Sequence, residues 1–319
     1  MKHTILNYSV GALLYSPANN NTIVQSLIDE KFEQPFSLAL CLEDTIPDDR
    51  VEAAEEKLIL SLSELIEKKQ QKDFYLPKIF IRVREPQQIT KLTKKLGNAL
   101  EILTGFIIPK FDQSNADTYI EEIKAVNNIS KSPIYIMPIF ESSTIIPLVT
   151  RYEILYSLKE KLDCIKDLVL NIRVGGNDLC HSFGLRRHSN STIYDIAPVA
   201  NILTDIITVF AMDYVVSGPV WEYYNGKGWD TGLARELERD LLNGFVGKTV
   251  IHPNQIGIVN QALAVSKTDY DDACSILNWN NSMDTLVLGS ATSERMNEYK
   301  THTNWAKQII LLHEVYGLK

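Results

Sequence analysis

The chain has 319 residues, 45% of them hydrophobic and 23% charged, which excludes a disordered or fibrous chain and gives enough length to bury a large core without staples. The net charge of −8, from 32 Lys and Arg against 40 Asp and Glu, excludes the concentrated basic face that nucleic-acid binding requires. No apolar stretch reaches the roughly 18 residues of a membrane span, and the opening MKHTILNYSVGALL is too polar for a signal peptide.

Short apolar runs alternate with amphipathic stretches of helix length, the pattern of βα units. The predicted strands are 11–15 (GALLY), 37–42 (SLALCL), 79–83 (IFIRV), 105–108 (GFII), 134–139 (IYIMPI), 168–174 (LVLNIRV), 214–217 and 249–252 (TVIH). Helical patterns between them include 52–68, 115–126 and 197–210. Several runs are apolar on both faces, as expected where helices cover one side of a sheet and a barrel interior the other. No GxGxxG follows the first strand, so a dinucleotide-binding sheet loses ground to a closed α/β (β/α)₈ TIM barrel. The barrel is expected over residues 1–265, with a C-terminal helical extension at 266–319 that ends in a helix over 299–316. Lys68, Lys69 and Lys72 read as a solvated helix end.

Cys41, Cys164, Cys180 and Cys274 form no CxxC pair, so neither a zinc site nor a disulfide framework is expected, which fits a reducing cytoplasm.

Barrel enzymes carry their chemistry at the C-terminal ends of the strands. Strand one runs into Ser16-Pro17-Ala18-Asn19 and strand two into Glu43-Asp44. Strand three carries Arg82 and Arg84, strand four ends in Pro109-Lys110, and strand five in Glu141. Strand six ends in Gly175-Gly176-Asn177-Asp178, strand seven in Ser217-Gly218-Pro219, and strand eight in His252-Pro253. Carboxylates with arginines and a lysine suit a hard cation and an anionic substrate. Magnesium takes one or two carboxylates and leaves room for substrate oxygens, whose polarisation lowers the cost of a neighbouring enolate. Arginine grips a carboxylate with a two-point fork that lysine lacks.

Plainer roles compete at each position. Glu43 and Asp44 precede Pro47 and suit a turn or a helix cap, Asp178 follows Gly-Gly-Asn, and Glu141 precedes Ser142-Ser143. Arg82 is harder to set aside, since a cation in an apolar strand is costly without a partner. His181 and His188 either touch substrate or stand by. Trp221, Tyr223, Tyr224 and Trp229 either line a pocket or pack a long loop.

At these residues the chain resembles the HpcH/HpaI aldolase and citrate lyase beta-subunit family, in order across residues 11–258. The segments are GALLYSPANN, LALCLEDTIPDDRVEAA, IFIRVRE, GFIIPK, IFESS, VGGNDLCHSFGL and GFVGKTVIHPNQI, the last being the most specific. The chain looks closest to a divergent subgroup found with tellurite-resistance gene clusters. The resemblance implies a carbon–carbon lyase, or its reverse, a condensing enzyme, that uses Mg2+ or Mn2+ at Glu141 and Asp178. It implies Arg82 as the enolate-stabilising arginine, with Glu43 and Asp44 beside the metal. Asn19, Arg84, Lys110, Gly176, Asn177 and Pro219 are the expected substrate-binding positions. The expected partner is a small carboxylate substrate, and the expected assembly is a homotrimer or homohexamer. Members of the family often pass a tail acid to a neighbour's site, and Glu298 stands where they have an aspartate.

Three features depart from the family. The motif after strand five is Glu-Ser-Ser-Thr-Ile without its glycine, Arg84 replaces an asparagine, and the loop after strand seven is rich in aromatics. These departures argue against a free acyl-CoA as main substrate, and the added Arg84 suggests a further anionic group. Two other functions share these residues: phosphoenolpyruvate or pyruvate handling on a similar barrel, and a non-catalytic subunit that binds a metal carboxylate.

Overall fold

The computed structural model describes residues 4–279 and 285–319, so 1–3 of the expected barrel and 280–284 of the expected extension lie outside the described part. Eight parallel strands close into a barrel in sequence order. They are β1 (Ala12–Pro17), β2 (Ser37–Cys41), β3 (Lys78–Arg82), β4 (Leu103–Ile108), β5 (Tyr135–Phe140), β6 (Ile172–Val174), β7 (Val216–Gly218) and β8 (Phe245–Val250). The seam is the parallel pairing of β1 with β8, from Ala12↔Lys248 to Leu14↔Val250.

The covering helices are α1 (Ile5–Tyr8), α2 (Asn21–Ile28), α3 (Val51–Gln71), α4 (Gln87–Leu96), α5 (Ala116–Ile129), α6 (Leu148–Asp163), α7 (Gly176–Ser182), α8 (Ala197–Phe210), α9 (Trp229–Leu242) and α10 (Asn254–Leu263). In α3, Leu58, Leu62 and Leu65 fall on one face and are at most 1% exposed. Each such burial stabilises the fold by roughly 1.5–3 kcal/mol. Glu52 in the first turn and Lys68 and Lys69 in the last match the helix dipole.

Side chains alternate inward and outward along each strand. Leu13, Ala39, Phe80, Ile107, Met137 and Leu170 pack as a separate cluster that plugs the barrel interior. Outward residues such as Leu14, Leu38, Ile79 and Val174 join the sheath between strands and helices. At the N-terminal end α1 caps the plug, and its Asn7 Nδ2 donates to the Leu170 carbonyl at 3.0 Å.

The first five strands lie within one or two residues of their predicted ends, and the last three show where the pattern misleads. β8 begins at Phe245, four residues before the predicted start, because Gly247 and Lys248 interrupt the apolar pattern. β6 is only its last three residues, since Lys166–Leu168 is a short helical turn. β7 starts two residues later than predicted and ends one residue later.

Beyond the barrel, α11 (Lys267–Leu277), a small hairpin of β9 (Val287–Gly289) with β10 (Met296–Glu298), and α12 (Tyr299–Tyr316) form the tail. The hairpin had no signal in the sequence pattern. α12 returns to the N-terminal end, where the Tyr316 hydroxyl donates to the Tyr8 carbonyl at 2.6 Å. Gly11 makes that approach possible: its φ is +56°, and a Cβ there would sit 2.7 Å from the Tyr316 hydroxyl.

Candidate active site

The upper layer of inward side chains floors a cavity of about 310 Å3 at the C-terminal end of the barrel. Tyr15, Arg82, Ile139, Arg173 and Thr249 supply the floor, and Glu141 and Asp178 the rim. A larger hollow of about 470 Å3 lies at the opposite end, but its Lys166 and Asp213 are paired with each other at 2.7 Å.

Arg82 ends β3 and is 7% exposed. A cation so buried is tolerable only with partners. It has three: its Nη2 lies 2.8 Å from Glu43 Oε2, 3.2 Å from Asp44 Oδ2 and 3.2 Å from Glu141 Oε1. Lys110 completes the cluster from the loop after β4. Its Nζ donates to Glu43 Oε1 at 2.7 Å and its backbone N–H to Glu141 Oε1 at 3.0 Å. That backbone bond comes from a left-handed conformation, φ +47°, which a lysine rarely adopts.

The cluster divides its protons unevenly. Burial raises Glu141 to about 7, and the charge of Asp178 adds to the rise while Arg82 opposes it. Burial and the hydrogen bond with Asp44 raise Glu43. Burial also acts upward on Asp44, but the bond from Glu43 and the charges of Arg82 and Lys110 outweigh it and hold Asp44 low. Arg82 stays charged, because the neighbouring acids Glu141 and Glu43 oppose its desolvation.

Glu141 and Asp178 fit a divalent cation. Glu141 Oε1 is occupied by Arg82 and Lys110, whereas Oε2 accepts no hydrogen bond from the described residues. The Asp178 carboxylate, on the first turn of α7, has no partner among them either, and the two acids repel each other. Gly175 leaves room for the Glu141 side chain: a Cβ there would lie 2.1 Å from Oε2. Among the described residues no group of three or more His, Cys, Asp or Glu gathers as a metal cluster. The arrangement is a two-carboxylate site, which magnesium accepts and structural zinc does not.

The other predicted residues fall in several places. Asp44, Gly176 and Asn177 line the cavity. Pro219 packs behind Gly176, where a Cβ would meet its ring at 2.7 Å. Asn19 is exposed in the turn after β1, and the neighbouring Asn20 caps α2 instead. Arg84 turns away from the cavity. Its Nε donates to the Leu42 carbonyl at 2.7 Å, and its other nitrogens hold Glu43, Ile46 and Asp48, so it staples the loop after β2. His181 and His188 are exposed. Glu298 ends β10, accepts from the Thr301 hydroxyl at 3.0 Å, and does not line the cavity of its own chain. Ser142, not Glu141, caps the turn after β5, and the family's missing glycine is a buried Ile145.

The aromatic loop after β7 packs on itself. Trp221 is fully buried with Arg187 stacked 5.2 Å over its ring, and Gln255 Nε2 donates to the carbonyls of Trp221 and Tyr223. Only Val220 of this segment reaches the cavity, so the loop's bulk does not narrow it.

Two groups escaped the sequence reading. Arg173 faces the cavity from β6, although a cation inside an apolar strand was the same signal that singled out Arg82. Lys248, in the Gly-Lys of the most specific motif, points away from the cavity. It lies under α9, 2.7 Å from Glu236 and 2.6 Å from Asp240, with all three buried.

The description of carbon–carbon bond lyases of the TIM-barrel fold matches residues 4–318. The chain belongs to that family. By that membership it is a carbon–carbon lyase, and the citrate lyase beta-like resemblance holds at the level of fold. CitE from Mycobacterium tuberculosis, in complex with magnesium, acetoacetate and coenzyme A, is similar over 97% of this chain and 99% of its own, at 16% identity and a TM-score of 0.63. RipC from Yersinia pestis is similar over 82% of this chain and 98% of its own, at 16% identity and a TM-score of 0.55. The citrate lyase beta subunit from M. tuberculosis, complexed with oxaloacetate and magnesium, covers 81% and 99%, at 18% identity and a TM-score of 0.52. No curated protein sequence matches the chain. Among the described residues no helix is long and apolar enough to cross a membrane.

Proposed function

We propose that this lyase is magnesium-dependent and cleaves or forms a carbon–carbon bond beside the carboxylate of a 2-oxo or hydroxy acid, through an enolate. The observation that supports this most is the meeting, in one small cavity, of two carboxylates with open oxygens and a buried arginine. The magnesium, acetoacetate and oxaloacetate of the M. tuberculosis structures support it further.

Glu141 and Asp178 would hold the ion, which when bound supplies electrophilic polarisation of an oxo or carboxylate oxygen. Manganese suits the same oxygen ligands. Arg82 turns its charge toward the developing enolate oxygen without reorganising, because three acids already hold it in place. Asp44, kept ionised at the cavity wall, takes the hydroxyl proton as the carbon–carbon electrons move into the enolate. Glu43 and Lys110 position Asp44 and Arg82. Glu298 of a neighbouring copy is the proposed proton donor to the enolate carbon, which requires a trimer or hexamer.

Calorimetry with magnesium tests the ligand pair. Glu141→Gln or Asp178→Asn should weaken binding and leave the fold intact, and unchanged binding in both variants would sink the assignment. Product analysis with oxaloacetate, pyruvate or glyoxylate and candidate partners tests the reaction. The buried Ile145 in the strand-five motif supports a substrate other than a free acyl-CoA, and saturable cleavage of malyl-CoA or citryl-CoA would contradict that part.

A further inference from the structure

Four arginines are buried among the described residues: Arg82, Arg151, Arg173 and Arg187. Arg82 faces three acids, Arg151 lies 2.7 Å from Asp205, and Arg187 lies 3.5 Å from Glu236. Arg173 has no acid within ion-pair distance, although it is only 2% exposed. Its Nη2 donates to the Thr249 hydroxyl at 2.6 Å, and its Nη1 has no partner among the described residues.

An unpaired guanidinium in a barrel interior is costly, and hydroxyls satisfy its hydrogens without balancing its charge. Tyr15, the other polar neighbour, does not balance it either. Burial raises the Tyr15 phenol to about 12, so it stays neutral. Arg173 sits on β6 between Ile139 of β5 and Ser217 of β7, and lines the same cavity as Arg82, Glu141 and Asp178.

We propose that Arg173, with the hydroxyls of Tyr15 and Thr249, is a second anion subsite on the cavity floor, which takes a far carboxylate of the substrate. The proposal rests on the function argued above, because it assumes a 2-oxo acid at the metal pair. It makes the substrate a dianion, with one carboxylate end at Glu141, Asp178 and Arg82 and the other at Arg173. Arg82 already faces three acids through its Nη2, so its charge is balanced without the far carboxylate, whereas that of Arg173 is not. One guanidinium and two neutral hydroxyls match the single charge of a carboxylate better than the double charge of a phosphate. The extra anion suggested by Arg84 in the sequence therefore has its cation at Arg173. Water offers a plainer explanation of the open Nη1, because Asn171 two residues earlier also has an unpartnered Nδ2 and Oδ1. Water leaves the charge uncompensated, so the two explanations differ in what they predict for ligands.

Calorimetry with magnesium present would compare two pairs of equal carbon number: 2-oxobutyrate with oxaloacetate, and 2-oxopentanoate with 2-oxoglutarate. At least one dicarboxylate should bind about tenfold or more tightly than its methyl-ended partner, the value of a charge-assisted hydrogen bond. Arg173→Gln should bring the two affinities together, and Arg173→Lys should keep part of the difference. The wild-type comparison stands even where a variant does not fold. Equal affinity within both pairs, or a preference that survives Arg173→Gln, would overturn the subsite and leave the metal chemistry standing. If no 2-oxo acid binds with magnesium, the functional proposal fails first and this one with it.

Discussion

Two of the buried clusters of opposite charge, around Lys248 and around Arg82, differ in what they leave open. Around Lys248, the ammonium meets Glu236 and Asp240, the Tyr194 hydroxyl donates to Asp240 at 2.7 Å, and the Ile193 N–H donates to Glu236 at 2.8 Å. Around Arg82, the acids also crowd one cation, but Glu141 and Asp178 keep free oxygens toward a cavity. The closed cluster ties the loop before α8 and helix α9 to β8, so it carries structure. The open one has spare ligands, so it carries chemistry. Residue type does not separate them: each has a cation in a strand and acids beside it. What separates them is which way the strand points the cation, outward under a helix or inward to the barrel mouth.

Removing the cation from the closed cluster should have the largest effect. Lys248→Met leaves the buried Asp240 without a cation and Glu236 with only Arg187, 3.5 Å away, and should cost about 3–5 kcal/mol of stability by chemical denaturation. A loss under about 1 kcal/mol would mean that the cluster is less sealed than its geometry indicates. In the open cluster, Arg82→Lys should lose roughly 3–4 kcal/mol of transition-state stabilisation, a few hundredfold in kcat, with a much smaller change in melting. Near-normal turnover would make Arg82 a structural residue like Lys248.

A pH series sharpens the comparison further. The folded state holds the Glu141 proton more tightly than the unfolded chain does, with its carboxyl raised from 4.5 to about 7. Its contribution to stability is full below pH 4.5 and is lost as pH rises through about 7. At roughly 1.4 kcal/mol per unit, that is on the order of 3 kcal/mol. Metal-free protein should melt progressively lower between pH 5 and pH 8, Glu141→Gln should flatten the decline, and magnesium should restore the melting temperature at pH 8. A decline of equal depth in Glu141→Gln would assign it to other groups.

The smallest expected signal concerns the tail. Mixing Glu298→Gln subunits with Arg82→Lys subunits should recover a fraction of activity if the open cluster is completed by a neighbour. A monomer by light scattering, or no recovery despite subunit exchange, would leave Glu298 as the residue that precedes α12 and accepts from Thr301.

Strands β1 to β5 were legible because each holds an apolar run of at least three residues and leads into polar residues. β8 was misplaced because Gly247 adopts φ +88° and Lys248 hides a charge under α9, and neither fits an apolar pattern. Acids at strand ends pointed to the open cluster. Arg84 misled, since β3 ends at Arg82, so the alternation that would keep Arg84 on the face of Arg82 no longer holds and its guanidinium goes to the carbonyls of the loop after β2. Arg173 was legible by the rule that found Arg82, but no motif drew attention to it. The partners of Lys248 lie 8 and 12 residues earlier, on a helix whose packing only the closed barrel defines.

β6 and β7 are three residues long, while the other staves have five or six, and the ladder between them runs only from Ile172↔Val216 to Arg173↔Ser217. Short ladders open at low cost, so amide hydrogens here should exchange sooner than those of β1 to β4. Asp178 and Arg173 both hang from this looser part of the wall, whereas Glu141 follows the six-residue β5. An ion shared by Glu141 and Asp178 would clamp the loose staves to the firm ones, and its arrival would register as slowed deuterium uptake on one side of the barrel only.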